Sequence, residues 1–183
     1  DGLSRRVTIL HGDYRDAPGT HYDAVSSIGL LEHVGVRNYS SYFTFLRSKL
    51  RDGGRLLNHC ITRPVNGAPA GAGLFIDRYV FPDGELTGSG RIITEAQDAG
   101  LEVVHEENLR PHYARTLQAW CTNLRTHWDE CVREVGVETA RVWGLYMAGS
   151  RIGFEKNAIQ LHQVLAVRTD QEGTWSLPLR PEW

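Results

Sequence analysis

Apolar positions along this chain follow two rhythms: short unbroken runs, and longer stretches in which they recur every three or four residues. The first rhythm marks buried strands and the second marks amphipathic helices. Val7-Thr8-Ile9-Leu10, followed by a polar stretch over 11–16 and by Pro18-Gly19, predicts a strand and a loop. Residues 22–29 are small or β-branched for the most part and end at Gly29, which predicts a buried parallel strand. From 38 to 50, Tyr39, Tyr42, Phe43, Phe45, Leu46 and Leu50 recur at three- and four-residue spacing, which predicts an amphipathic helix, and Asp52-Gly53-Gly54 supplies a stop signal. Residues 55–61 form a further apolar run, so strand, helix and strand make a βαβ unit and the fold class is α/β.

Residues 64–73, rich in Gly, Ala and Pro, predict an irregular loop with the composition of a mobile lid. Over 75–84 a group of aromatic side chains leads into Pro82-Asp83-Gly84, a tight reversal. A short helix over 90–99 and a strand over 101–104 follow. Over 116–135, Leu117, Trp120, Cys121, Leu124, Trp128, Cys131, Val132 and Val135 share one helical stripe that is expected to face a core. A helix over 138–147 and a final strand over 158–167 complete the pattern, with no internal repeat.

Composition narrows the function classes. At 183 residues, 41% hydrophobic and 23% charged, the chain has the apolar content for a core and the length of one domain or a large part of one. Twenty Lys and Arg against twenty-two Asp and Glu leave a net charge of −2, which gives no bulk attraction to nucleic acid. Cys60, Cys121 and Cys131 are odd in number and lack a C-x-x-C pair, so neither a disulfide framework nor a metal site is expected. No run approaches the ~18–20 apolar residues of a membrane span, and the first residues lack the apolar run of a signal peptide. The expected compartment is the cytoplasm.

A doubly wound sheet that binds a nucleotide-like cofactor begins with a strand, a Gly-rich turn and a helix. No such turn follows the first predicted strand, and the chain starts without methionine, in mid-pattern. Truncation of the front half is the expectation. In a βαβ unit the parallel strands end at the same sheet edge, where ligands collect. Glu32 follows one such strand and His59 closes the next, so both are expected to face one crevice. A carboxylate and an imidazole there suit general acid/base work. The plainer alternative makes Glu32 a helix cap and His59 a hydrogen-bonded core residue. A thiol nucleophile at Cys60 is disfavoured, because neighbouring residues on a strand point to opposite faces.

The wording around these residues is more specific. Leu31-Glu32-His33-Val34-Gly35, Tyr39-x-x-Tyr42-Phe43, His59-x-Ile61, Tyr79-x-Phe81-Pro82-x-Gly84-x-Leu86 and His112-Tyr113-Ala114-x-Thr116-Leu117-x-x-Trp120 stand in one order. Together they resemble the cyclopropane fatty acid synthases and their mycolic acid relatives, over nearly the whole chain and in the carboxyl-terminal part of those enzymes. The resemblance implies a class I methyltransferase with a Rossmann-like doubly wound sheet, whose amino-terminal strands and Gly-rich cofactor turn are missing here. It implies one carboxyl-terminal portion of a methyltransferase domain over 1–183, with a substrate-covering insertion around 64–90.

Such enzymes use S-adenosylmethionine to add a methylene to a cis double bond in an acyl chain, and a held bicarbonate removes a proton from the added methyl group so that the ring closes. By resemblance Glu32, His59 and Tyr113 position the bicarbonate and Ile61 contributes through its backbone. Tyr14, with Arg15 beside it, matches an adenine contact, and Ile28 matches another cofactor contact. The partner implied is an unsaturated phospholipid or an acyl-carrier lipid, with peripheral membrane contact and a homo-oligomeric assembly in the same expectation. Without the front half the segment alone is expected to be inactive. Two other readings stay open: methyl-only transfer to a lipid or an amine, and a non-catalytic lipid-binding or scaffolding partner. The loss of the cofactor turn motivates the latter.

Overall fold

The computed structural model describes residue 2, residues 5–175 and residues 177–178. Strand β1 (Tyr22–Ile28) is followed by a 3-10 turn at Leu31–His33, helix α1 (Tyr39–Lys49) and strand β2 (Leu50–Thr62). β1 and β2 are parallel, with Ala24 opposite Arg55 and Ile28 opposite His59, so the predicted βαβ unit is present and its strand tips are level. The Asp52-Gly53-Gly54 signal is a bulge inside β2 rather than a stop between elements, and the register with β1 shifts beside it. Gly53 has φ +72°, and a Cβ at Gly54 would stand 2.7 Å from the Arg51 carbonyl oxygen. Glycine is what lets two strands approach there.

After the loop over 64–73 come α2 (Leu74–Tyr79), the Pro82–Asp83 reversal, α3 (Ser89–Asp98) and β3 (Glu102–Asn108). The loop over 64–73 is irregular, as its composition predicts. It is also tied: the Leu86 N–H donates to the Ala70 carbonyl at 2.8 Å and an Arg63 Nη donates to the Gly71 carbonyl at 2.7 Å. Helices α4 (Arg110–Thr126) and α5 (Trp128–Glu155) lead to β4 (Gln160–Val167), and the sheet order is β1-β2-β4-β3. β4 is antiparallel to both of its neighbours.

Alternation along β2 sends Leu56, Asn58, Cys60 and Thr62 into the core and leaves Arg55, Leu57, His59 and Ile61 on the more open face. The core proper lies between that buried face and the helices α1 and α3, built from Tyr39, Tyr42, Phe43, Leu46, Ile92 and Ala96 against Leu56, Cys60, Val164 and Ala166. A buried hydrogen bond between Ser27 and Tyr42 fastens β1 to α1. On the other side of the sheet a smaller cluster of Ala114, Leu117, Phe154 and Leu161 seats α4 and α5.

Two expectations fail here. Residues 7–10 form no strand: they pair with nothing among the described residues, and Ile9 is 91% exposed. An apolar run becomes a strand only beside a partner that satisfies its backbone. The stripe over 116–135 is not one core-facing helix either. The helix ends at Thr126, and Gly136, at φ +81°, breaks α5. Leu117 alone of that stripe is fully buried, whereas Trp120 and Val135 are exposed. Beyond Gly136, α5 runs back along α4: a Cβ at Gly144 would stand 3.4 Å from the Leu124 side chain, and Arg110 donates to the Phe154 carbonyl at 2.6 Å.

Candidate active site

Gly29 turns the chain off the tip of β1 at φ +63°, and its N–H donates to the His59 carbonyl at 2.9 Å. That bond ties the exit of one strand to the end of the next. The 3-10 turn that follows carries Glu32 inward over β2. Its Oε1 accepts the Ile61 N–H at 2.7 Å, while Oε2 is buried without a hydrogen-bond partner among the described residues. Burial raises the carboxyl above its usual range, against the pull of the backbone N–H groups of Ile61 and of Glu32 itself. Glu32 is therefore neither a simple helix cap nor a surface charge.

His59 projects from the open face of β2, half-buried. Its Nδ1 lies 3.0 Å from the Gln163 amide nitrogen on β4. With that amide donating, Nδ1 is the acceptor and the ring proton sits on Nε2. Burial pushes the imidazole pKa down, which favours the neutral ring. Tyr113, on the first turn of α4, packs edge-to-face on Phe154 at 5.0 Å and on Trp120 at 5.9 Å. Burial pushes its phenol pKa up, so the hydroxyl keeps its proton.

Glu32, His59, Ile61, Tyr113 and Ile28 line one cavity of about 260 Å³ at the carboxyl edge of the sheet. The sequence reading placed Glu32 and His59 in one crevice, and they share it. Ile61 enters through its backbone, with the N–H on Glu32. Tyr14 and Arg15 lie elsewhere: the Tyr14 ring packs on Tyr42 at 5.3 Å and Phe45 at 5.5 Å, and Arg15 pairs with Asp13 at 2.7 Å.

Sequence reasoning missed the residues that α5 adds to the same cavity, Tyr146 and Ser150, and also His33, Arg63 and Phe81. A partial signal was available, since Trp143 and Tyr146 stand three residues apart within the helix predicted over 138–147 and Ser150 follows at the next turn, beyond its predicted end. A larger concavity of about 480 Å³ lies on the open sheet face around Ala24, Arg55, Leu57 and Leu165, away from Glu32. Its lining does not include Glu32, His59 or Tyr113.

Comparison with known proteins follows the same lines. The family model described as mycolic acid cyclopropane synthetase matches residues 1–164. A probable fatty acid methyltransferase of Mycobacterium tuberculosis is 64% identical over 183 residues, which is 100% of this chain and 43% of that protein. The cyclopropane-fatty-acyl-phospholipid synthase of Escherichia coli is 31% identical over 170 residues, covering 91% of this chain and 43% of that enzyme. Among solved structures, the cyclopropane synthase MmaA2 from Mycobacterium tuberculosis superposes with a TM-score of 0.75 at 26% identity, over 84% of this chain and 57% of that one. The chain thus spans about 43% of the length of these two curated relatives. Its α/β sheet is part of the class I methyltransferase fold. The family match, the sequence identity and the fold agree that this chain belongs to the mycolic acid cyclopropane synthetase family.

Proposed function

We propose that the protein containing this chain transfers a methylene from S-adenosylmethionine to a cis double bond of an unsaturated phospholipid acyl chain and closes a cyclopropane ring. The observation that carries this reading is the convergence of a buried carboxyl, a neutral imidazole and a phenol on one largely apolar cavity at the sheet edge where α/β folds take their ligands. S-adenosylmethionine, when bound, supplies the electrophilic methyl group. Ile28 suits a cofactor contact because it is 66% exposed at the tip of β1, beside the cavity. Tyr14 and Arg15 are the proposed adenine side of that site.

Bicarbonate is the proposed base. Its fit rests on Glu32 Oε2, which is buried and unpartnered, and on the His59 Nε2–H and the Tyr113 hydroxyl in the same cavity. Burial favours the protonated carboxyl, and in that form Glu32 donates to an oxyanion instead of repelling it. Neutral donors of this kind hold a weak base in place without neutralising it. Ile61 fixes the carboxyl through its N–H. Ile76, Phe81 and Leu86 give the 64–90 segment an apolar wall on the cavity, which supports its role as a cover. Excluding water matters, because water would trap the substrate cation as an alcohol.

A second reading, methyl transfer without ring closure, is favoured by the description of the Mycobacterium tuberculosis relative as a fatty acid methyltransferase. The full-length protein incubated with S-adenosylmethionine and an unsaturated phospholipid separates the two. The expected product gains the mass of one CH2 group, loses its olefinic proton signals and acquires cyclopropyl ones. A methyl-branched or exomethylene product supports the second reading, and an unaltered lipid removes both.

A further inference from the structure

Helix α5 brings a second phenol to the cavity. Tyr146 and Ser150 lie one turn apart on the stretch beyond Gly136, and both line the space that Glu32 and Tyr113 face. The Tyr146 ring is pinned edge-to-face against Phe81 at 5.6 Å and against Trp143 at 5.5 Å. Its hydroxyl is hydrogen-bonded to Ser150. With Ser150 donating to the phenol oxygen, the phenol proton is free to serve an acceptor in the cavity.

We propose that Tyr146, held by Ser150, is a further donor to the small oxyanion gripped by Glu32, His59 and Tyr113, so that α5 completes the base pocket. This rests on the bicarbonate reading above. Three observations converge on it. The Tyr146 and Tyr113 phenols and the Glu32 carboxyl are walls of one cavity, so the three oxygen-bearing groups are neighbours there. Burial raises the Tyr146 phenol, so it remains a donor at neutral pH. Finally, packing alone asks only for a ring at this corner. A phenylalanine would meet Phe81 and Trp143 equally well, whereas a half-buried hydroxyl needs hydrogen-bond partners.

The test uses the full-length protein and its Tyr146→Phe and Ser150→Ala variants. Bicarbonate binding is read directly from line broadening of 13C-labelled bicarbonate, beside the bicarbonate concentration that half-saturates turnover. Loss of one hydrogen bond to a charged ligand predicts that Tyr146→Phe weakens binding about tenfold. Ser150→Ala loses only the support of that donor and is expected to weaken binding about threefold. Affinity for S-adenosylmethionine stays unchanged in both. Bicarbonate affinity in Tyr146→Phe within about twofold of the wild type, below the loss expected for one such bond, overturns this proposal and leaves the bicarbonate reading standing. A wild-type protein that methylates lipid yet binds no bicarbonate overturns both. Should Tyr146→Phe fail to fold, Ser150→Ala decides, and unaltered affinity there counts against the proposal.

Discussion

Glu32 has one carboxylate oxygen on the Ile61 N–H and the other buried with nothing to pair with, and this asymmetry governs its acidity. Its native pKa lies above that of the unfolded chain, so the folded protein binds the proton more tightly. Stability therefore falls as pH climbs from the ordinary glutamate range toward the raised native value, and the full cost persists above it. Glu32→Gln removes the titration. The melting temperature of the variant relative to the wild type is expected to rise with pH across that window, and a constant difference would refute the assignment. In the full-length protein Glu32→Ala, which removes the proposed donor altogether, is expected to lower kcat about 100-fold or more, as loss of a preorganised donor does. Cys60 lies one position from His59 but points into the core, and burial pushes its thiol well above the usual range. Alkylation of the native protein should leave Cys60 unlabelled while denaturation exposes it, as mass mapping would read. Glu32, His59 and Tyr113 were legible because each sits in a short motif at a strand or helix end. Tyr146 was not, because helical spacing puts it on a face with Trp143 but does not say that this face meets the cavity.

At the scale of elements, β1 is held to α1 by the buried bond between Ser27 and Tyr42. Tyr42→Phe strands the Ser27 hydroxyl and is expected to cost about 1–3 kcal/mol by denaturant unfolding. Adding Ser27→Ala should restore part of that loss, and strict additivity would mean that the two side chains are not coupled. Gly136 is the second lever. A methyl group there would meet nothing within 4 Å, so the cost of Gly136→Ala comes from its φ of +81° alone. About 1–2 kcal/mol is expected, read in the same assay. The strands over 22–29 and 158–167 and the helix over 38–50 were legible because periodicity and end signals agreed with tertiary burial. The stretch over 116–135 misled because its apolar repeat continues through His127 toward a glycine that turns the chain. Periodicity reports which residues share a face, not where a helix stops.

For the molecule as a whole, the sheet has one face under α1 and α3, while around Leu57 and Leu165, register partners on β2 and β4, the other face is a broad concavity. Among the described residues, β1 pairs only with β2, which leaves its outer edge unpaired. Exposed edges and apolar faces recruit further chains. Produced as these 183 residues, the protein is expected to self-associate, and Leu165→Glu should lower its mass by light scattering. A wild-type monomer would contradict this. The sheet order was not legible beforehand, since no local turn signal says that the last strand slots between two earlier ones. That placement has a consequence for biosynthesis. A ribosome delivers β3 long before β4, yet among the described residues β3 pairs only with β4. Until residue 167 has left the exit tunnel, β3 lacks its neighbour and His59 lacks Gln163, so the cavity's geometry is completed only when β4 arrives.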